Sequence, residues 1–347
     1  VMLTGPVIGG AFHDARMMGP VAIDFAKAFR LARTGILDWR PPDYREPKTV
    51  AEVQECLSLV RRSAVSGLDS EYDPRYHVLD PAGKVLCVGI ATEGLMVTIQ
   101  LHTVTRAHSK APYLVHPCWS AEDMPVVTAL LREYIEDPAA GKIIQNAFFD
   151  VNCIEAHGLG RVRGLLFDTL AGDHIIRAGM PHDLEFLASV YTDAPRHKPC
   201  GGDDAETGGG MHVLKMSDGE RGVYCALDAC KALAVALPIS GEIIGDGRQS
   251  LWQEQVELLE IASHMHHTGL LLSEPARTKL KESQQADLDV LLVNLREGAD
   301  MPAFEPSKRK LIAEVLRERF GLTPKAYTEK TGTMATVFAS MNTMRTT

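Results

Sequence analysis

The sequence predicts an α/β domain followed by an all-α segment, and three observations lead there. Three apolar runs split by turn residues, "AVSGLD", "KVLCVGIA" and "LMVTIQL", read as strands of an antiparallel meander. Helical and strand patterns then alternate to about residue 240, the order expected of helices packed on a sheet. From residue 250 no strand pattern returns, and three helical stretches follow one another. With 347 residues, 45% of them apolar and 23% charged, the chain is long enough for two or three domains and a sizeable core.

Each element has its own local signal. Residues 1–48 are a mixed arm in which "VAIDFAKAFRLART" forms a short amphipathic helix and "DWRPPDYREPK" a Pro-rich connector. The "GPVIGG" pair of glycines follows no strand and lacks the spacing of a phosphate loop, so it reads as a terminus. Thr49 and Glu52 make a capping box at the start of "VAEVQECLSLV". Ser120 caps a helix whose Val126, Leu130, Leu131 and Ile135 recur at helical spacing. "GKIIQNA" is a strand running into the helix "FFDVNCIEA", and "VRGLLFD" feeds another helix with Asp168 near its cap. "PHDLEFLASVYT" is one more short helix, and residues 193–220 are a long Gly- and Asp-rich loop of the kind that is often functional. "GVYCALDACKALAVALPI" resumes as an apolar helix.

Composition narrows the class. No apolar run read from the sequence approaches the roughly 18 residues of a membrane span, and the N-terminus lacks the basic start of a signal peptide, so a cytoplasmic protein with no membrane partner is expected. Seven scattered cysteines without a C-x-x-C pair indicate free thiols rather than a zinc module. The net charge of -9 is unusual for a protein that grips a long stretch of nucleic acid. A carboxylate pocket filled by metal ions can still hold a nucleic-acid end, so composition leaves nucleic acid and small substrates both open.

The chemistry rests on carboxylates. Asp69 and Glu71 at i and i+2 share one face of a strand, with Ser70 pointing the other way. By itself such a pair carries nothing, since 45 acids in 347 residues give about 6 by chance, and two surface acids are the simpler reading. "QNAFFD" then sets Asn146 and Asp150 where a strand turns into a helix, and "YCALDA" sets Tyr224 and Asp228 on one helix face. Asp228 lies among Ala226, Leu227, Ala229, Leu233 and Val235, where an unpartnered carboxylate is costly. Four oxygen ligands without histidine or thiol suit Mg²⁺ or Mn²⁺, and two such ions about 4 Å apart stabilise in-line displacement at phosphorus.

The ordered set D-x-E, N-x-x-x-D, Y-x-x-x-D resembles the tyrosine-bearing subgroup of the DEDD 3′–5′ exonucleases, over residues 64–236. That resemblance implies a ribonuclease H-like domain with a mixed five-stranded sheet flanked by helices, at 49–240. It implies that Asp69, Glu71 and Asp228 bind a pair of metal ions directly and that Asp150 holds the second through water. Tyr224 would position the nucleophile, and Gln145 and Asn146 would contact the 3′-terminal nucleotides. The segment 250–347 resembles the start of the thumb of family A DNA polymerases, of a phage-like type, through M-x-x-x-G-L, F-x-P-S-K and the TEKTG turn. Nothing in the chain resembles the palm or fingers, so it is not expected to incorporate nucleotides alone. A polymerase core in cis or on a separate chain is the implied partner, with a single-stranded DNA 3′ end as substrate and duplex DNA along the helical segment. A ribonuclease D-like exoribonuclease and a non-catalytic nuclease-fold module are the alternatives.

Other features have plainer readings. His264, His266 and His267 sit at a helix end, where cationic side chains suit the helix dipole. Cys225 and Cys230 flank Asp228 as buried free thiols. Lys308, Arg309, Lys310, Arg317, Arg319 and Lys325 read equally as a solvated face or as phosphate contacts. Phe148 and Phe149 read as core, with base stacking the second possibility.

Overall fold

The computed structural model describes residues 18–35, 39–108, 111–197 and 210–321. The "GPVIGG" terminus, Cys200, Lys325, the TEKTG turn and residues 198–209 of the long loop lie outside the described residues. The chain divides into two compact units, Val1–Gly269 and Leu270–Thr347.

In the first unit, helix α1 (Met18–Thr34) precedes a short strand β1 (Asp43–Arg45). The capping box forms as its sequence predicts: Glu52 N donates to Thr49 Oγ1 at 3.2 Å and Thr49 N to Glu52 Oε2 at 3.0 Å, opening α2 (Val50–Val60). The three apolar runs are β2 (Val65–Tyr72), β3 (Val85–Ala91) and β4 (Leu95–Gln100). A ribbon of β5 (His102–Thr105) and β6 (Leu114–Pro117) leads to α3 (Asp123–Ile135), which starts three residues after Ser120 because the Ser120 hydroxyl accepts from Asp123 N in the turn before it. Then come β7 (Gly141–Ile144), α4 (Ala147–Ala156), β8 (Leu165–Asp168), α5 (Thr169–Arg177) and α6 (Leu184–Tyr191). A 3₁₀ turn at Met211–Leu214 precedes α7 (Asp218–Gly245), and α8 (Gln249–Thr268) closes the unit.

The main sheet is mixed, in the order β1-β4-β3-β2-β7-β8. The meander β2-β3-β4 is antiparallel, while β7 runs parallel to β2 and β8 parallel to β7. The five expected strands are all present. A sixth, β1, adds parallel to β4 from the stretch that reads as a connector; a three-residue strand flanked by prolines leaves too short a pattern to notice. Helices α2, α3 and α4 cover one face through Val53, Leu57, Leu131, Tyr134 and Ile154, packed on Leu68, Val88 and Ile90. Helices α6 and α7 cover the other, with Leu187, Val235 and Ile239 packed around Ile143 and Phe167. Helix α7 is long and apolar enough to cross a membrane by length and composition, but it is the core helix of this face and most of it is buried. Helix α8 touches both layers, through Trp252 on Phe167 and through a Ser263–Asn152 hydrogen bond of 2.9 Å to α4.

The second unit has α9 (Glu274–Ala299), ended by Asp300 in the left-handed region, and α10 (Arg309–Glu318). Among its described residues, Phe304, Ala313 and Val315 are the buried apolar ones.

Candidate active site

Two glycines let α7 lie directly on the sheet. A Cβ on Gly67 would stand 1.9 Å from Ala229 O, and one on Gly89 would stand 2.7 Å from Cys225 O. That close approach brings the Tyr224–Asp228 turn of α7 against the end of β2, where Asp69 and Glu71 share the face toward the helix. The neighbourhood is tight: Cys225 Sγ lies 3.6 Å from Asp69 O, and its sulfur and the carboxylate oxygens of Asp69 and Glu71 lie within 4.8 Å of one another.

Asp150 arrives from the opposite face of the sheet. Ser70, which alternation turns away from its acidic neighbours, reaches α4 and donates to Asp150 Oδ1 twice, from its backbone N at 2.8 Å and its hydroxyl at 2.5 Å. So the residue between the paired acids holds the third acid in place. Burial pushes the Asp150 carboxyl up to about 7, helped by the charges of Asp168 and Asp228, while the Ser70 bonds pull it down.

The turn from β7 into α4 is fixed by Asp168, a buried carboxylate at the end of the neighbouring strand β8. It accepts from Asn146 N at 3.0 Å, Ala147 N at 2.9 Å and Leu170 N at 2.9 Å, so one side chain caps α5 and ties down the start of α4. Asn146 there has φ 56°, left-handed backbone that asparagine tolerates better than most residues. Gln145 is pinned too: its Nε2 donates to His182 O at 2.8 Å and its Oε1 accepts from Thr169 Oγ1.

All seven residues singled out by motif, Asp69, Glu71, Gln145, Asn146, Asp150, Tyr224 and Asp228, line one cleft of about 580 Å³. Burial raises the pKa of the Tyr224 phenol, and the carboxylates of Asp228, Glu71 and Asp69 raise it further. Burial likewise pushes the Cys225 thiol well up, so it stays protonated and leaves the carboxylate oxygens as the donors in the cleft. Clustered carboxylates of this kind fit a divalent cation: hard oxygens match a hard ion, whose charge relieves their mutual repulsion.

The sequence reading missed several neighbours. His197 sits between Asp228 and Glu185, and its ring centroid lies 5.1 Å from that of Tyr224. His212 meets Tyr224 edge-on at 5.4 Å. Both histidines come from the loop that reads as non-periodic, where no spacing marks one residue over another. Among the histidines of α8, none lines the cleft: His266 packs against Phe148 and His77, and His267 lies 4.0 Å from Glu155. Phe148 therefore packs on α8, whereas Phe149 is 39% exposed and lines the cleft.

No model of a known protein family matches the chain. Its sequence is similar to that of DNA polymerase I from Synechocystis sp. (strain ATCC 27184 / PCC 6803 / Kazusa), 20% identical over 299 residues. The likeness is to a DNA polymerase I. It takes in 84% of this chain and 29% of that protein, so the chain spans under a third of the polymerase it matches. In structure the chain is similar to the POL domain of Pol1 from M. smegmatis, solved in complex with DNA primer-template and dNTP. The TM-score is 0.51 at 16% identity, covering 87% of this chain and 45% of that one. A looser similarity, TM-score 0.42 at 18% identity, is to Brucella melitensis NrnC with bound Mg²⁺, over 67% of this chain and 94% of that one.

Proposed function

We propose that the chain is a metal-dependent 3′–5′ exonuclease of the proofreading type. It hydrolyses phosphodiester bonds at single-stranded DNA 3′ ends and releases nucleoside monophosphates. The observation that carries this reading is the convergence of the motif residues from β2, α4 and α7 in one acidic cleft. The sequence similarity to a DNA polymerase I supports DNA as the substrate.

In this reading Asp69, Glu71 and Asp228 would hold two Mg²⁺ or Mn²⁺ ions directly, and Asp150 would hold the second through water. The bound ions supply charge stabilisation for the attacking and leaving oxygens of an in-line displacement. The chain does the rest. Tyr224 keeps its proton, because burial and three carboxylates raise its pKa, so its hydroxyl orients the attacking water rather than deprotonating it. Gln145, pinned by His182 and Thr169, and Asn146, held by Asp168, present their carboxamides to the terminal nucleotide. The Ser70 bonds keep Asp150 in place and favour its ionised form. The nuclease occupies residues 49–240, and the segment 250–347 contacts duplex DNA beside a polymerase core in cis or on another chain.

The test uses 5′-labelled single-stranded DNA and RNA with Mg²⁺, Mn²⁺ or EDTA. A stepwise ladder on DNA that vanishes with EDTA and in Asp69→Ala is expected. Equal or faster loss of RNA would reassign the substrate. No cleavage by folded, metal-loaded protein would sink the enzyme reading.

A further inference from the structure

Behind Asp228, on the side of α6 and α7, lies a set of charged residues that the proposed chemistry does not use. Lys231, one turn after Asp228 on α7, is 1% exposed, and its Nζ donates to Glu185 Oε1 at 2.8 Å. The same ammonium stands 2.7 Å from His197 Nδ1, and His197 Nε2 stands 3.0 Å from Asp228 Oδ1. Glu185 completes the set at 2.9 Å from His197 Nδ1. Burial would raise the Glu185 carboxyl, but His197 and Lys231 hold it down at about 2, so it stays ionised beside the ammonium.

Glu185, His197 and Asp228 present ligand atoms within 4.8 Å of one another, spacing that would suit a metal. Lys231 already puts a cation on two of the three, so the set needs no further metal ion. Burial lowers the His197 pKa and its two carboxylate partners raise it, with a net upward direction. Lys231 Nζ and Glu185 Oε1 both meet the ring at Nδ1, and that leaves Nε2 as the atom facing Asp228 Oδ1, 3.0 Å away.

We infer that His197 is a positioning residue for the metal site: its imidazole, 3.0 Å from Asp228 Oδ1, sets the orientation in which Asp228 meets a divalent cation, and Lys231 and Glu185 fix the imidazole. The inference rests on the metal-dependent reading above and extends it to a residue outside the motif set. Partners that orient a ligand commonly change metal affinity by roughly ten- to a hundredfold when removed, with no loss of a direct ligand.

Mn²⁺ binding to the full chain, followed by loss of the free-ion EPR signal without any nucleic acid, tests this apart from catalysis. His197→Ala should bind Mn²⁺ about ten- to a hundredfold more weakly than wild type. His197→Phe, which keeps a ring against Tyr224 but has no N–H, should match it and carries the comparison if the alanine variant loses its thermal transition in EDTA. His197→Gln, whose amide reaches toward the place of Nε2 beside Asp228, should recover most of the affinity. In an Asp228→Asn background the His197 substitutions should add nothing, because the effect runs through Asp228. Wild-type binding with unchanged or tighter binding in the His197 variants would overturn the positioning role and leave the nuclease reading standing. Full additivity with Asp228→Asn would overturn it likewise. A wild-type protein that binds no Mn²⁺ would remove the metal-dependent function, and this role with it.

Discussion

At Asn146 stability and function pull in opposite directions. The residue sits at φ 56°, N-terminal to α4, with its backbone N–H given to Asp168. Left-handed backbone costs an ordinary L-residue about 1–2 kcal/mol and glycine almost nothing. Asn146→Gly should therefore leave the urea midpoint unchanged or raise it by the equivalent of about 0.5–1 kcal/mol, while Asn146→Ala lowers it by about 1 kcal/mol. Both remove the carboxamide proposed to meet the terminal nucleotide. Both should lose roughly ten- to a hundredfold in kcat/KM on single-stranded DNA, the worth of one or two hydrogen bonds to substrate. A glycine variant as active as wild type would take Asn146 out of the substrate-binding set. The seven motif residues are legible in the sequence as an ordered set that resembles an exonuclease motif, on positions of simple local geometry: i and i+2 on a strand, a strand-to-helix turn, i and i+4 on a helix. Ser70 is legible only in half. Alternation places it on the other face, but that it meets Asp150 there depends on how α4 docks. His197, Glu185 and Lys231 are invisible as a group, since a histidine in a Gly- and Asp-rich loop meets α6 and α7 only in the folded chain.

Among the elements, α7 governs the site, and the glycines beneath it govern α7. Nothing in the sequence singles out Gly67 and Gly89, and only the docked helix explains them. A methyl on Gly67 would meet the backbone oxygen of Ala229 at 1.9 Å, next to Asp228. Backbone cannot turn aside as a flexible side chain can, so the helix must move. Gly67→Ala should cost about 1–3 kcal/mol or more in stability, as overpacking does. Its effect on catalysis should be larger than that figure implies. Tyr224 and Asp228 ride on α7 while Asp69 and Glu71 stay on β2, and a shift of about 1 Å between reacting groups can cost on the order of a hundredfold. The measurement is exonuclease activity at a temperature where circular dichroism shows the variant fully folded. Wild-type activity in folded Gly67→Ala would mean that the helix-to-sheet distance does not set the site. The edge strand β1 and the β5-β6 ribbon were illegible for a related reason: strands of three and four residues carry too few alternations to stand out from a connector.

For the whole molecule the controlling quantity is charge. A net -9 gives no long-range attraction for a polyanion, and the cleft adds carboxylates where the proposed reaction would bring a phosphate. The basic residues of the second unit do not reverse this. Lys308 pairs with Glu305 at 2.9 Å, Arg317 with Glu318 at 2.7 Å and Arg319 with Asp300 at 3.5 Å, so much of that stretch is spent on local ion pairs. Binding of a nucleic-acid end then depends on divalent cations that neutralise the cleft and on a few direct phosphate contacts. Fluorescence anisotropy with an oligonucleotide whose 3′-terminal linkages are phosphorothioates measures binding with cleavage slowed. Its affinity in EDTA should be at least about tenfold weaker than in Mg²⁺, a loss of one interaction worth about 1.4 kcal/mol. With Mg²⁺ present, log K should fall with log salt at a slope of about -2 to -3, the value for three or four neutralised phosphates on a single strand. Binding in EDTA as tight as in Mg²⁺ would mean that the acids do not face the phosphates. A flat salt dependence would mean that stacking on residues such as the exposed Phe149, rather than phosphate contact, holds the strand.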